Sequence, residues 1–319
     1  MFCDLHIHST ASDGTDPPEA IPALAKRSGL HAIALTDHDT TEGLETCAAA
    51  ARKVQIKFVP GIELSANANL DWPIRPNELQ KSDGLHLLGY FIKPSKRMKL
   101  IQQQLFNSRG QRNRIVIAKL NDLGVRIDYD EVLAAAGEER PAIPNDLAPS
   151  EERIGQSTTV IGRPHIATVL VRKGYVKSIH EAFTRYLGGR GAAYVPKDRL
   201  SATEALDAIH DSGGLAILAH PVQLRFNRLK DLEHLVARLK HLGLDGIESR
   251  HSDHGPKDVE RFEKLASRFG LLTTGGSDYH GLNKTAQLGR PRVPFRTYET
   301  LFNTRNTTKP PRRQVTKRN

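Results

Sequence analysis

Short apolar runs that carry a histidine or a carboxylate recur along this chain, most of them followed by an amphipathic helical stretch. The runs are FCDLHIH, HAIALTDH, IKFVPGIEL, LHLLGYFI, LAILAHP, DGIESRH and LLTTGGSDYH. Period-two alternation in the first puts Leu5 and Ile7 on one face and Asp4, His6 and His8 on the other. About seven strands in a β/α series predict a closed or nearly closed parallel barrel.

The helical stretches carry their own punctuation. PPEAIPALAKRSG opens on prolines, which suit a first helical turn, and closes on Gly29. SATEALDAIHDSGG has Ser201 and Glu204 in capping-box spacing. The rhythm stops from about residue 95 to 195, where basic helical segments such as LIQQQLFNSRGQRNRIVIAKLNDLG follow one another. The expected organisation is a discontinuous barrel over 1–94 and 196–300 and a mainly helical insertion over 95–195. Residues 137–158 read as a loop within the insertion, and 301–319 as a basic disordered tail.

Net charge, +10, invites a nucleic-acid reading, but six of those ten charges sit in the last fifteen residues, which contain no acid. With 38% apolar residues the chain can build a core, and no eighteen-residue apolar run offers a membrane span. No signal peptide is apparent, and two cysteines give no disulfide framework; both suit the cytoplasm. No protein partner is evident.

The polar strand ends carry the chemistry. His6 and His8, Asp37 and His38, Glu63, His220, and Asp278 and His280 end their strands, and His86 begins or lines another. C-terminal strand ends of a β/α barrel meet at one mouth. A lone buried histidine is usually structural, yet almost every strand end carries one, and imidazoles with carboxylates are what Zn, Mn or Fe take. No P-loop, G-x-S-x-G or Cys-His pattern competes.

The motifs DLHIHS (4–9), SDG (12–14), TDHD (36–39), GIE (61–63), AHP (219–221) and GSDYH (276–280) resemble, in order, those of the PHP (polymerase and histidinol phosphatase) family of metal-dependent phosphoesterases. The resemblance implies a distorted (β/α)7 barrel and two or three divalent ions. It assigns His6, His8, Glu63 and Asp278 to one ion. Glu63, His86 and His220 take a second, and Asp13, His38 and His280 a third. It implies hydrolysis of a phosphoester by a metal-bridging hydroxide, with Asp13, His38, Glu63 and Asp278 catalytic. Three divalent ions bring six positive charges against three from Asp13, Glu63 and Asp278, so the centre favours anions. Asp4 and Asp37 are expected to orient histidines; a helix cap is the other reading of Asp37.

Substrate choice is expected from the insertion. GRPHIA and YLGGRGAAYVPK resemble the subgroup with nucleoside 3',5'-bisphosphate phosphatases and a 5'-3' exoribonuclease. Arg163, His165, Arg190 and Lys197 are candidates for a second phosphate, as is Arg250, while Arg112 and Arg114 read as a solvated helix face. His251 is a candidate to bind phosphate or protonate a leaving group. The expected partner is a small phosphorylated nucleotide or a short RNA. A histidinol-phosphatase-like monoesterase is an alternative, and a nucleic-acid-binding protein with a non-catalytic metal site is a different class.

Overall fold

The computed structural model describes residues 1–67, 84–138, 161–196, 199–224, 226 and 228–307. Its sheet order is β8-β7-β6-β4-β3-β2-β1-β9. The strands are β1 (Phe2–Asp4), β2 (Leu30–Leu35), β3 (Lys57–Asn67), β4 (Leu85–Tyr90), β5 (Leu200–Ser201), β6 (Leu215–Leu218), β7 (Gly246–Arg250), β8 (Leu272–Gly275) and β9 (Val293–Pro294). The sheet closes just beyond β1 and β8. Leu5 N donates to Gly275 O at 3.2 Å, Asp278 N to His6 O at 2.9 Å, and His8 N to Tyr279 O at 2.9 Å.

The result is a barrel of seven main strands, with one departure from the parallel expectation. β4 runs antiparallel to both β3 and β6, while the other barrel pairs are parallel. The reversal has a consequence for the site. His86, the second residue of β4, pairs with Ser65 near the end of β3. The start of β4 therefore lies at the mouth where the parallel strands end.

Barrel strands bury both faces. On β4, Leu85 and Leu87 pack outward beneath helices while Leu88 and Tyr90 fill the interior. On β6 the same alternation separates Ala216 and Leu218 from Leu215 and Ile217. Near-continuous apolar strands are what two-sided burial demands. The covering helices are α1 (Ile21–Arg27), α2 (Leu44–Val54), α7 (Ala202–Asp211), α8 (Leu229–Leu242) and α9 (Pro256–Phe269). Ser201 and Glu204 form the expected capping box of α7. The interior cluster is joined by Tyr298 and Leu301 of α10 (Arg296–Thr307). The start of the expected disordered tail is thus helical through Thr307, and 308–319 lie outside the described residues.

Between the barrel's two halves come α3 (Lys96–Asp122), α4 (Tyr129–Glu138), α5 (Arg163–Arg172), α6 (Ile179–Ala182) and a π-helical turn, Phe183–Leu187. Residues 139–158 of the expected loop lie outside the described residues. The helix α3 spans two cores. Met98, Ile101 and Leu105 pack with the barrel cluster, and Val116, Ile117 and Leu120 with a separate cluster of the helical segment. Its middle buries Arg109, Arg112 and Asn113. Among the described residues no helix is long and apolar enough to cross a membrane.

Candidate metal centre

The strand ends bring nine side chains to one mouth. Glu63, fully buried, stands at the centre. Its Oε1 lies 2.7 Å from His86 Nδ1 and 2.8 Å from His220 Nε2. Its Oε2 lies 3.2 Å from His6 Nε2, 3.1 Å from His8 Nε2 and 3.2 Å from His38 Nδ1. The two oxygens thus face different sets of imidazoles. Asp278 is equally divided: Oδ1 faces His8 Nε2 at 3.3 Å and His6 Nε2 at 3.6 Å, while Oδ2 faces His251 Nε2 at 3.4 Å and Lys284 Nζ at 2.6 Å. Asp13 Oδ1 lies 3.2 Å from His280 Nε2.

Ligand atoms of His6, His8, Glu63 and Asp278 all lie within 4.8 Å of one another, as do those of His8, Asp13, His38 and His280, and those of His38, Glu63 and His86. The chemistry fits a metal. His8 Nδ1 and Nε2, His38 Nδ1 and His280 Nε2 are buried without a partner aligned for a hydrogen bond. Buried ring nitrogens aimed at a shared point are costly unless an ion takes their lone pairs. Two of the residues, His220 and Asp278, hold positive φ of 25° and 56°. Strain of this kind in non-glycine residues persists where the surroundings enforce it.

Electrostatics push the same way. Burial alone would raise the carboxyls, but imidazoles prevail. His38, His86 and His6 hold Glu63 well below its usual range; His280 and His38 do so for Asp13; Lys284, His280 and His6 do so for Asp278. Burial would lower the histidines, yet the carboxylates of Glu248, Glu63 and Asp278 lift His6 well above its normal value, and Asp278 and Glu63 lift His8 to about 9. Burial prevails at His38 and takes His220 down to about 4. The same carboxylates that favour protons on His6 and His8 favour a cation, so metal and protons compete for these rings.

Supporting residues divide differently from expectation. Asp4 and Asp37 touch no imidazole ring through a hydrogen bond. Asp4 accepts from the backbone N–H of His6, Ser277 and Gly289, which fastens β1 to the β8 extension. Asp37 accepts from Ser9 N and Oγ, each at 2.7 Å, and from Ser12 Oγ at 2.6 Å, so it shapes the loop that carries Asp13. It neither caps a helix nor orients a ring. The ring-orienting carboxylate is Glu248, absent from the sequence expectation: its oxygens lie 3.1 and 3.3 Å from His6 Nδ1, and Oε2 accepts from His220 N at 2.8 Å. Burial opposes its ionisation, but His6 and His251 bring it down to about 2. Glu248→Ala should lower metal affinity or activity about 10–100-fold, read by metal titration and turnover.

Glycine also positions the centre. A Cβ on Gly276 would lie 2.4 Å from both His6 N and His6 Cβ. Gly276→Ala must therefore separate the β8 extension from β1, at a cost of about 1–3 kcal/mol in denaturant unfolding.

A cavity of about 260 Å³ joins the centre to the helical segment. Asp13, His38, Glu63, His86, His220, Asp278 and His280 line it, together with a cluster of Arg109, Arg112, Arg163 and Arg199. Of the expected substrate contacts, Arg163 reaches it, with Nη1 donating to Leu187 O at 3.0 Å. The solvated reading of Arg112 is corrected: it is 7% exposed, and burial with Arg163 and Arg109 nearby pushes it down to about 9. Arg109 pairs with Asp39, whose carboxylate also accepts from Ser65 N. His165 does not line the cavity; its Nδ1 accepts from Gly162 N at 3.0 Å and caps α5. Arg190 is exposed and away from the cavity, and Lys197 lies outside the described residues. Arg250 pairs with Glu263 at 2.8 Å instead, because the strand register slips between Glu248 and Arg250 and turns it off the inner face. His251 is buried behind Asp278, its Nδ1 accepting from Asp253 N.

A family profile described as the PHP domain matches residues 4–246. The chain belongs to the PHP domain family. The match ends before Asp278 and His280, which the closing strand brings back to the centre. A phosphoribosyl 1,2-cyclic phosphate 1,2-diphosphodiesterase of Eggerthella lenta is 30% identical, with 93% of this chain and 99% of that one covered. A 5'-3' exoribonuclease of Haemophilus influenzae is 32% identical over 87% and 89%, and a 3',5'-nucleoside bisphosphate phosphatase of Chromobacterium violaceum 30% identical over 87% and 86%. A Bifidobacterium adolescentis structure described as a metal-dependent phosphoesterase superposes with TM-score 0.77 at 28% identity, covering 94% of this chain and 95% of that one. This PHP-domain chain is a metal-dependent phosphoesterase, a hydrolase of phosphoric ester bonds.

Proposed function

We propose that the protein hydrolyses a phosphate ester of a small nucleotide of the 3',5'-bisphosphate type. The observation that carries this reading is a single cavity lined both by the metal-capable cluster and by a cluster of Arg112, Arg163 and Arg199. One phosphoryl group at the centre and a second at the arginines satisfy both clusters, since guanidinium binds phosphate through paired N–H donors. Phe183 and Tyr194 lie on the same cavity and offer aromatic surface to the nucleoside. The enclosed volume suits a small molecule better than a long strand, and the similarity to a bisphosphate phosphatase supports the same class.

In this reading His6, His8, Glu63 and Asp278 hold one divalent ion, Glu63, His86 and His220 a second, and Asp13, His38 and His280 a third; Mn, Fe and Zn all suit the donors. Bound there, the ions supply Lewis acidity toward phosphoryl oxygens and lower the pKa of a coordinated water from about 15.7 toward 7. Glu63 would help hold two of them, since its separate oxygens face different sets of imidazoles. Glu248 holds His6 in one ring orientation, and His251 lies beside Asp278 Oδ2. Residence in the cytoplasm belongs to the same reading, supported by two free, buried cysteines.

The test is turnover of adenosine 3',5'-bisphosphate, a short 5'-phosphorylated RNA, histidinol phosphate and an aryl phosphate by the Mn²⁺-loaded protein. The bisphosphate should be preferred. Arg112→Met should raise its KM about 10-fold or more and leave that of the aryl phosphate nearly unchanged. Preference for RNA or histidinol phosphate would overturn the substrate class.

A further inference from the structure

A second, larger cleft of about 690 Å³ also borders Asp278. It is lined by His251, Ser252, His254, Thr285, Ala286 and Arg290 among others, and among the described residues shares only Gln223, Asp278 and Lys284 with the arginine-walled cavity. Lys284 is therefore at the junction. Its Nζ lies 2.6 Å from Asp278 Oδ2, on the oxygen turned away from His6 and His8, while 43% of its side chain stays exposed. The lysine is built into place. The turn Gly281–Asn283 before it is tied to the Asp13 loop by Leu282 N donating to Thr15 Oγ1 and Asn283 Nδ2 donating to Asp13 O, both at 2.9 Å. Gly281 (φ +64°) has no room for a side chain, because a Cβ would fall 1.9 Å from Thr15 Oγ1.

An ammonium anchored on one ligand carboxylate, with three donors and an exposed flank, has donors left for another oxygen. We infer that Lys284, which also lines the arginine-walled cavity, contacts the leaving-group oxygen of an ester bound there. During hydrolysis a water oxygen bonds to phosphorus, the ester P–O bond breaks, and the leaving oxygen keeps the bonding pair. That oxygen then takes a proton from solvent, and the proton lost by the attacking water goes to solvent. The charge that develops on the leaving oxygen is what Lys284 stabilises, by a fixed cation rather than by proton transfer. The inference rests on ester hydrolysis at this centre and is independent of the nucleotide reading.

Lys284→Met and Lys284→Arg are compared with the Mn²⁺-loaded wild type on phosphate monoesters whose leaving groups run from 4-nitrophenol through phenol to a simple alcohol. Lys284→Met should lose only a few-fold in kcat/KM on the nitrophenyl ester and about 100-fold or more on the alkyl ester. The leaving-group dependence should steepen, metal content should stay at the wild-type level, and Lys284→Arg should restore the wild-type dependence. A uniform loss across all esters, or a loss that follows falling metal content, would show that Lys284 acts only through Asp278 and would overturn the proposal. Absence of wild-type turnover on every ester despite bound metal would instead overturn ester hydrolysis, and the proposal with it. Normal wild-type turnover combined with preference for another phosphoester would sink only the nucleotide reading.

Discussion

Glu63→Gln is expected to lower kcat/KM for phosphoester hydrolysis on the order of 10³-fold, about 4 kcal/mol of transition-state stabilisation. The amide nearly matches the carboxylate in shape, so packing survives. What goes is the charge that five imidazoles face: His86 and His220 on Oε1, and His6, His8 and His38 on Oε2. One amide nitrogen must then point at imidazoles as a donor, where a cation would need a lone pair. Bound metal per chain should fall along with activity, while the far-ultraviolet circular dichroism stays native. Wild-type activity and metal content in Glu63→Gln would remove this residue from the centre.

Asp37→Ala should have the largest effect on stability, about 3 kcal/mol in denaturant unfolding. The buried carboxylate accepts three hydrogen bonds from Ser9 and Ser12, all at 2.7 Å or less. Without it these donors face a cavity, and burial keeps water from replacing all of them. The same loop delivers Asp13 to His280, so the Asp13–His38–His280 position should also lose metal affinity. Burial raises the Asp37 carboxyl above its usual range despite these donors, so part of the cost is already spent on desolvation and the loss falls short of three full charged hydrogen bonds. Loss of stability with unchanged metal binding would separate the loop's shape from the metal position.

The barrel and the gathering of histidines and carboxylates at its mouth were legible because both depend on short-range pattern. Alternation at His6 and His8, and polar residues at strand ends, needed only the rule that parallel strands converge. What sequence pattern does not carry is the direction of a strand. The reversal of β4 explains why His86, at a strand's beginning, meets Glu63, at the end of β3. Glu248 was legible in principle, since Gly246-Ile247-Glu248 alternates toward the interior, but a single glutamate without a motif has no distinguishing signal. Arg112 was misread because periodicity cannot tell that α3 passes from one core to another and buries its cationic middle between them. His165 and Arg250 were near the right segments, and local events displaced them: a helix cap in one case, a register slip in the other.

The most direct measurement is a Mn²⁺ titration of chelator-stripped protein that follows bound metal and phosphate release from adenosine 3',5'-bisphosphate in the same samples. The stripped protein should be inactive, and phosphate release should rise as two to three equivalents of metal bind, with His280→Ala capping the stoichiometry one equivalent lower. Full activity in the stripped protein, or saturable metal binding without hydrolysis of any phosphate ester, would contradict it.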